Sequence, residues 1–367
     1  MNPFFMTNIK VDKVRHLKNI NIALSTTERK HLILTGKNGS GKTSLLEALR
    51  DLLVARENEP FSSFHQSATH NHHVVLEFNT LNHPDNVILV FFAAKRGISM
   101  KIPLGPKKIK LKDKYHIDSD VETPSLMFLQ YLLNLKVEQS FARDDNESHV
   151  VEKIEQWFNR FEETLQKLFE DETLKLQFDR KSYHFYLKVQ GKELFDLNSL
   201  SDGYSAVFKI LSDLILRMEN TNRYDMQGIV LIDEIETHLH VELQKKILPF
   251  LSHFFPNIQF IVSTHSPFVL TSLEEAIIYD LEHQLRIEDL SPYSYEAVVE
   301  KYFAVDKYSI LIKDKVKEYE YLLNKEKKTP EEQFKWLSLK NYLKKVPPDF
   351  APELVAHFQS LELQEMI

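Results

Sequence analysis

The octapeptide Gly36-Lys37-Asn38-Gly39-Ser40-Gly41-Lys42-Thr43, followed by Ser44, fits the pattern G-x-x-x-x-G-K-[ST]. In that pattern a glycine-rich loop turns its backbone N–H groups inward around a phosphate. An apolar run, Leu32, Ile33 and Leu34, precedes it, and an apolar-periodic stretch, Leu45, Leu46, Ala48 and Leu49, follows. The loop thus joins a strand to a helix, as this chemistry requires. Glycine lets the backbone approach an anion, and the helix N-terminus adds partial positive charge. Lys42 supplies a point charge for the β- and γ-phosphates, and Thr43 a hydroxyl for Mg²⁺.

Outward from this loop, the 367-residue chain suits one large composite domain or two to three small ones. At 43% hydrophobic and 27% charged residues it reads as an ordinary globular protein. It has no cysteine, which excludes disulfides and Cys-ligated metals. No basic leader and no run of about 20 apolar residues stands out, so the expectation is a cytoplasmic protein without membrane contact. Lys and Arg number 46 against 53 Asp and Glu, a net charge of −7, so any nucleic-acid surface has to be a local patch.

Residues 7–34 alternate apolar and polar and predict two or three strands. His65, His70, His72, His73 and His83 crowd between 57 and 83; without helical spacing they fit a polar loop better than a metal site. The run 87–93 predicts a buried strand. Lys101, Lys107, Lys108, Lys110, Lys112 and Lys114 follow it, with Lys95 and Arg96, and fit a solvated hairpin or a basic patch for DNA or a partner. Apolar spacing predicts helices over 124–140 and 150–175 without sustained heptads, hence a compact insertion. A helix is expected over 205–219. The runs 228–232 and 259–263 predict central strands buried on both faces. After 291 the chain reads as helical, with Thr329, Pro330 and Glu332 forming a helix start. The expected divisions are a first core half (1–56), an insertion (57–194), a second core half (195–290) and a helical tail (291–367).

Three segments narrow the chemistry. Asp233-Glu234 closes the apolar run Gly228 to Ile232. A carboxylate at a strand end can hold the Mg²⁺ of a nucleotide, and a second beside it can polarise water. Leu200-Ser201-Asp202-Gly203-Tyr204 opens a helix upstream. Ser263-Thr264-His265-Ser266-Pro267 follows the next apolar strand.

Together these residues resemble the ATP-binding-cassette (ABC) ATPases, in their SMC- and RecF-type branch. Leu200 to Tyr204 looks like that family's signature Leu-Ser-Gly-Gly-Gln. It departs at Asp202 and Tyr204 but keeps Ser201 and Gly203. Asp233 and Glu234 resemble the Walker B aspartate and catalytic glutamate, and His265 the switch histidine. Residues 236–240 occupy the position of the D-loop. Gln130 is the candidate for the Mg²⁺-contacting glutamine of the Q-loop, with a plain surface glutamine as the alternative. The resemblance implies an α/β fold: an ABC-ATPase head with a mixed or parallel core sheet, a compact α+β insertion and a helical C-terminal tail. It also implies ATP and Mg²⁺ as cofactors, hydrolysis served by Glu234, His265 and Lys42, and a homodimer or an assembly of dimers closing over nucleotide.

The segment 234–240 and Thr264-His265-Ser266-Pro267 look like AAA-type ATPases of the overcoming-lysogenization-defect group of prokaryotic defence proteins. Most of all they look like Septu and retron ATPases partnered with an HNH nuclease. The chain has no Asp-x-Asp after His265, the place a Toprim domain would need one, and no HNH ligand pattern. Asp118-Ser119-Asp120 is its only Asp-x-Asp. The implied partner is therefore a separate nuclease, of HNH or Toprim type, in anti-phage defence. The alternatives are a RecF-like DNA-repair ATPase, for which the lysines of 101–114 are the best support, and a transporter's nucleotide-binding subunit.

Overall fold

The computed structural model describes residues 3–55, 67–69, 72–79, 87–96, 100–109, 111–112, 115–121, 123–219, 226–302, 308–347 and 351–365. Two compact units, Met1–Tyr293 and Ser294–Ile367, make up the chain. The first unit begins with β1 (Met6–Val14), β2 (Leu17–Ala23), β3 (His31–Thr35), α1 (Lys42–Ala55), β4 (Ser67–Thr69), β5 (His72–Phe78) and β6 (Val87–Phe92). A 3-10 turn at Pro124–Met127 leads into α2 (Phe128–Asp144), α3 (Ser148–Phe169), β7 (Lys175–Asp179), β8 (His184–Lys188) and β9 (Phe195–Asp196). Then come α4 (Asp202–Glu219), β10 (Gln227–Ile232), α5 (Val241–Phe254), β11 (Ile258–Ser263), the single turn α6 (Pro267–Leu270), β12 (Ala276–Asp280) and β13 (Leu285–Ile287).

The core sheet runs β13-β12-β3-β11-β10-β6. Only the β12–β13 pair is antiparallel; the rest are parallel. Every residue of β3, β10, β11 and β12 is buried. This matches their continuous apolar runs, since a parallel sheet is covered on both faces. Because five neighbouring strands run the same way, Thr35, Phe92, Ile232, Ser263 and Asp280 all end at one edge. Chain leaving those strands meets there, where open α/β sheets bind ligands.

A second, antiparallel sheet, β2-β1-β5-β4, lies beside the first. Ile9, Val11, Val14, Ile20 and Ile22 on its inner face share one core with Leu45, Leu46, Leu49 and Leu53 of α1 and with Leu32, Leu34 and Ile261 of the core sheet. The fully buried Gln259 of β11 joins the two sheets. Its amide oxygen accepts from Met6 N at 2.7 Å, and its nitrogen donates to the Met6 and Lys30 carbonyls at 3.0 and 2.7 Å. The buried side chain thus has its hydrogen bonds met. His72 and His73 lie on β5; His65, His70 and His83 fall outside the described residues.

The insertion is compact. On α3, Ile154, Phe158, Phe161, Leu165 and Leu168 are buried at spacings of three and four, so one stripe of the helix faces the core. Phe128 of α2, Phe161 and Phe208 of α4 cluster there, ring centroids 5.5 to 6.2 Å apart. The hairpin expected over the lysine-rich segment is not found: the described residues of 95–112 form no strand. The segment instead runs as a loop tied to its surroundings. Asn198 Oδ1 accepts from Met100 N at 2.8 Å, and its amide nitrogen donates to Met100 O at 3.0 Å. Gln130 and Asn134 of α2 donate to the Gly105 and Lys107 carbonyls at 3.1 and 2.9 Å. Lys110 and Lys114 lie outside the described residues.

The second unit is helical: α7 (Tyr295–Ala297), α8 (Ile310–Leu323), α9 (Pro330–Leu343) and α10 (Pro352–Glu365). Val316, Tyr319, Leu322, Leu339, Leu343, Leu354, Phe358 and Leu361 form a core of its own. Thr329 Oγ1 accepts from Glu332 N while the Glu332 carboxylate accepts from Thr329 N, a complete capping box starting α9. Among the described residues, no helix is long and apolar enough to cross a membrane.

Candidate active site

The turn after β3 is built by glycines at positive φ: Gly36 at 128°, Gly39 at 84° and Gly41 at 101°, conformations other residues rarely adopt. The loop then enters α1 at Lys42. Lys42 is buried, and its ammonium donates to the carbonyls of Gly36 at 2.8 Å and Lys37 at 3.2 Å. Burial lowers its pKa, while Glu236, Glu234, Asp233 and Asp280 pull the other way. The Ser40 hydroxyl is buried and has no hydrogen-bond partner among the described residues. On the exposed rim Lys37 pairs with Glu282 at 2.9 Å.

The register of β3, β11 and β10 brings this loop beside Asp233. Thr43 Oγ1 donates to the Asp233 carboxylate oxygens at 2.9 and 3.2 Å, and Ser263 Oγ donates to Oδ1 at 2.6 Å. Asp233 is only 4% exposed. Glu234 adopts the left-handed conformation, φ 44°. Its N–H donates to Ser263 Oγ at 2.7 Å, and its Oε2 accepts from Thr237 Oγ1 at 3.1 Å. His265 lies after β11, its backbone N–H held by Glu236 Oε1 at 2.5 Å. Burial and then the Lys42 charge lower the His265 pKa, against the pull of the three carboxylates, so the ring is neutral at neutral pH. The structure thus brings Gly36 to Ser44, Asp233, Glu234 and His265 to one edge of the core sheet.

Ser201 is exposed, and Gly203 is buried at the start of α4. Among the described residues no hydrogen bond joins either to Lys42 or Thr43. Tyr204, where the signature has glutamine, stacks on Phe169 of α3 at 4.3 Å between ring centroids. Gln130 is not brought to the site. Its amide is bonded to Gly105 O and to Asn134 Oδ1, at 3.1 and 3.2 Å. The place beside Asp233 belongs instead to Arg96, which the sequence reading grouped with the surface lysines. Arg96 is 4% exposed and follows β6, whose last residue, Phe92, pairs with Ile232. Its Nη1 donates to Ala93 O at 3.0 Å and Asp233 O at 2.6 Å; its Nη2 donates to Glu234 O at 2.8 Å and Ile235 O at 3.2 Å. An arginine within four residues of a predicted buried strand was the only available signal. The Asp-x-Asp is tied up elsewhere: Asp118 pairs with Arg50 at 3.3 Å and Asp120 with Lys209 at 3.0 Å.

The oxygens of Thr43 and Asp233 are hard donors of the kind Mg²⁺ takes alongside nucleotide phosphates and water. The two groups already touch, so a small cation fits between them with little rearrangement. The unpartnered Ser40 hydroxyl in the glycine loop likewise fits an anion.

A family model described as "AAA domain, putative AbiEii toxin, Type IV TA system" matches residues 123–271. Septu protein PtuA of Bacillus mycoides (strain KBAB4) is 25% identical over 320 residues, covering 76% of this chain and 41% of that protein. The Retron Vc95 probable ATPase of Vibrio cholerae serotype O1 biovar El Tor is 42% identical over 112 residues, 28% of this chain and 21% of that one. The Retron Ec83 probable ATPase of Escherichia coli is 40% identical over 89 residues, 23% and 16% of the two chains. The chain thus spans less than half the length of these relatives. Among solved structures, the Smc head bound to the C-winged helix domain of ScpA matches at 14% identity with a TM-score of 0.43, covering 75% of this chain and 94% of that one. The resemblance carried by the motifs stands: the chain is related to ATPases of the Septu and retron systems.

Proposed function

We propose that this chain binds ATP with Mg²⁺ and hydrolyses it. The observation that carries this is the Thr43–Asp233 contact, which joins the glycine loop to the acidic strand end across 190 positions of sequence. The loop N–H groups and Lys42 hold the β- and γ-phosphates. Thr43 and Asp233 would hold the Mg²⁺ ion, which would supply positive charge against the charge developing on the phosphates. Glu234 takes a proton from the attacking water, with Thr237 orienting its carboxylate, and neutral His265 serves as a hydrogen-bond partner at the γ-phosphate. Phosphate release by the purified chain, lost on chelating Mg²⁺ with EDTA and restored by adding it back, is the expected result. ATP binding by calorimetry that is untouched in Lys42→Ala would sink the assignment.

We further propose that the site is completed by a second copy of the chain. Ser201 is exposed at the start of α4, and Gly203 lies in the same first turn, which offers backbone donors and a positive helix end for a γ-phosphate held on another protomer. Ser201→Arg should abolish ATP-driven dimerisation measured by light scattering while leaving the monomer folded. An unchanged dimer would rule out this head-to-tail arrangement. By its kinship with Septu and retron ATPases, the chain acts in the cytoplasm in anti-phage defence, governing a separate effector, a nuclease of HNH or Toprim type. The exposed Lys101, Lys107 and Lys108 favour a second reading, a RecF-like ATPase that contacts DNA. Salt-sensitive DNA binding that weakens when these three are replaced by alanine would support it.

A further inference from the structure

We infer that Arg96 is a positioning residue for Glu234, an assignment that rests on the ATPase proposed above. Glu234 sits in a left-handed backbone conformation that is unfavourable for a residue with a Cβ, with φ at 44°. Such a conformation persists only where the surroundings over-determine it. Here they do so from both sides. Glu234 N donates to Ser263 Oγ at 2.7 Å, and Glu234 O accepts both from Thr237 N at 2.9 Å and from Arg96 Nη2 at 2.8 Å.

The turn brings the carbonyls of Asp233, Glu234 and Ile235 to one guanidinium, which also reaches Ala93 O. Each terminal nitrogen bridges two carbonyls, a task suited to a planar fork with fixed donors. Without Arg96 the turn would lose three carbonyl contacts and keep the Thr237 N bond to Glu234 O and the Ser263 bond to Glu234 N. No described bond runs from Arg96 to a carboxylate oxygen of Glu234. Arg96 therefore acts through the backbone, fixing where the Glu234 side chain starts and so where its carboxylate meets water. Burial lowers its pKa to about 10, which leaves it charged at neutral pH.

Lysine keeps the charge but not the fork. Arg96→Lys should lower kcat for ATP on the order of 10²-fold, the scale of a misplaced catalytic group. KM, and the ATP Kd with Mg²⁺ by calorimetry, should stay within about threefold. A loss confined to kcat marks an interaction felt in the transition state alone. A kcat within twofold of the unsubstituted protein would overturn the assignment. So would variants whose fold or nucleotide affinity collapses together with turnover, for Arg96 would then be a structural cation. If the unsubstituted protein hydrolyses no ATP, the ATPase proposal falls and takes this one with it; turnover there with an unaltered Arg96→Lys defeats this one alone.

Discussion

A Cβ added to Gly203 would stand 2.8 Å from the backbone carbonyl oxygen of His238. The first turn of α4 therefore rests directly on the turn that follows Asp233 and Glu234. The glycine of the signature-like segment has a packing role within its own chain, whatever it does across a dimer.

From this contact, Gly203→Ala should cost about 1–3 kcal/mol, the range for overpacking against atoms that cannot yield. The opposing atom, His238 O, is backbone and cannot swing aside as a flexible side chain can. Chemical denaturation should show a lower midpoint for Gly203→Ala and an unchanged one for Ser201→Ala, which alters an exposed residue. Equal midpoints would mean the turn relaxes freely.

Glu234→Gln should retain ATP and turn it over on the order of 10²–10⁴-fold more slowly. The amide is nearly the same shape, so Thr237 Oγ1 keeps an acceptor 3.1 Å away while the proton acceptor for water is lost. Single-turnover kinetics with saturating nucleotide test this. A rate equal to that of the unsubstituted protein would pass the role to another group, with His265 the nearest alternative.

Acid should weaken the fold through His31. Burial, reinforced by Arg29 and Lys30, lowers its pKa from 6.5 to about 4, and its Nδ1 accepts from Phe260 N at 3.0 Å. The unfolded chain takes up this proton first as pH falls. The contribution is therefore whole above pH 6.5, shrinks between 6.5 and about 4, and amounts to roughly 3 kcal/mol across that window. Asn at this position can accept the same bond without titrating. Thermal midpoints measured from pH 7 to pH 4.5 should fall more steeply for the native protein than for His31→Asn; parallel curves would exclude His31 as the cause.

The helical unit should be separable. Ser294–Ile367 buries Tyr319, Leu343 and Phe358 in a core of its own. A chain ending at Tyr293 should stay folded and keep its ATPase rate within a few-fold. If the tail docks the effector, the same truncation should lose that protein in a pull-down from cells expressing both. Aggregation of the truncated chain would show instead that the tail covers the first unit.

What was legible in the sequence was local or periodic. The glycine loop between strand and helix, the continuous apolar strands ending at Asp233 and Ser263, the amphipathic stripe of α3 and the capping box at Thr329 each depend on neighbours within a few residues. Secondary structure and backbone chemistry act over that range. The tertiary structure decided what depends on which strand ends lie side by side. Parallel pairing of β6 with β10 carries Arg96 under the acidic turn, a partner that its nearness to a buried strand could not identify. The same folding leaves Gln130 fastening a loop that was expected to be a hairpin. A side chain's partner 137 or 138 positions away is set by sheet order, and sheet order follows from burying every strand at once rather than from any one segment.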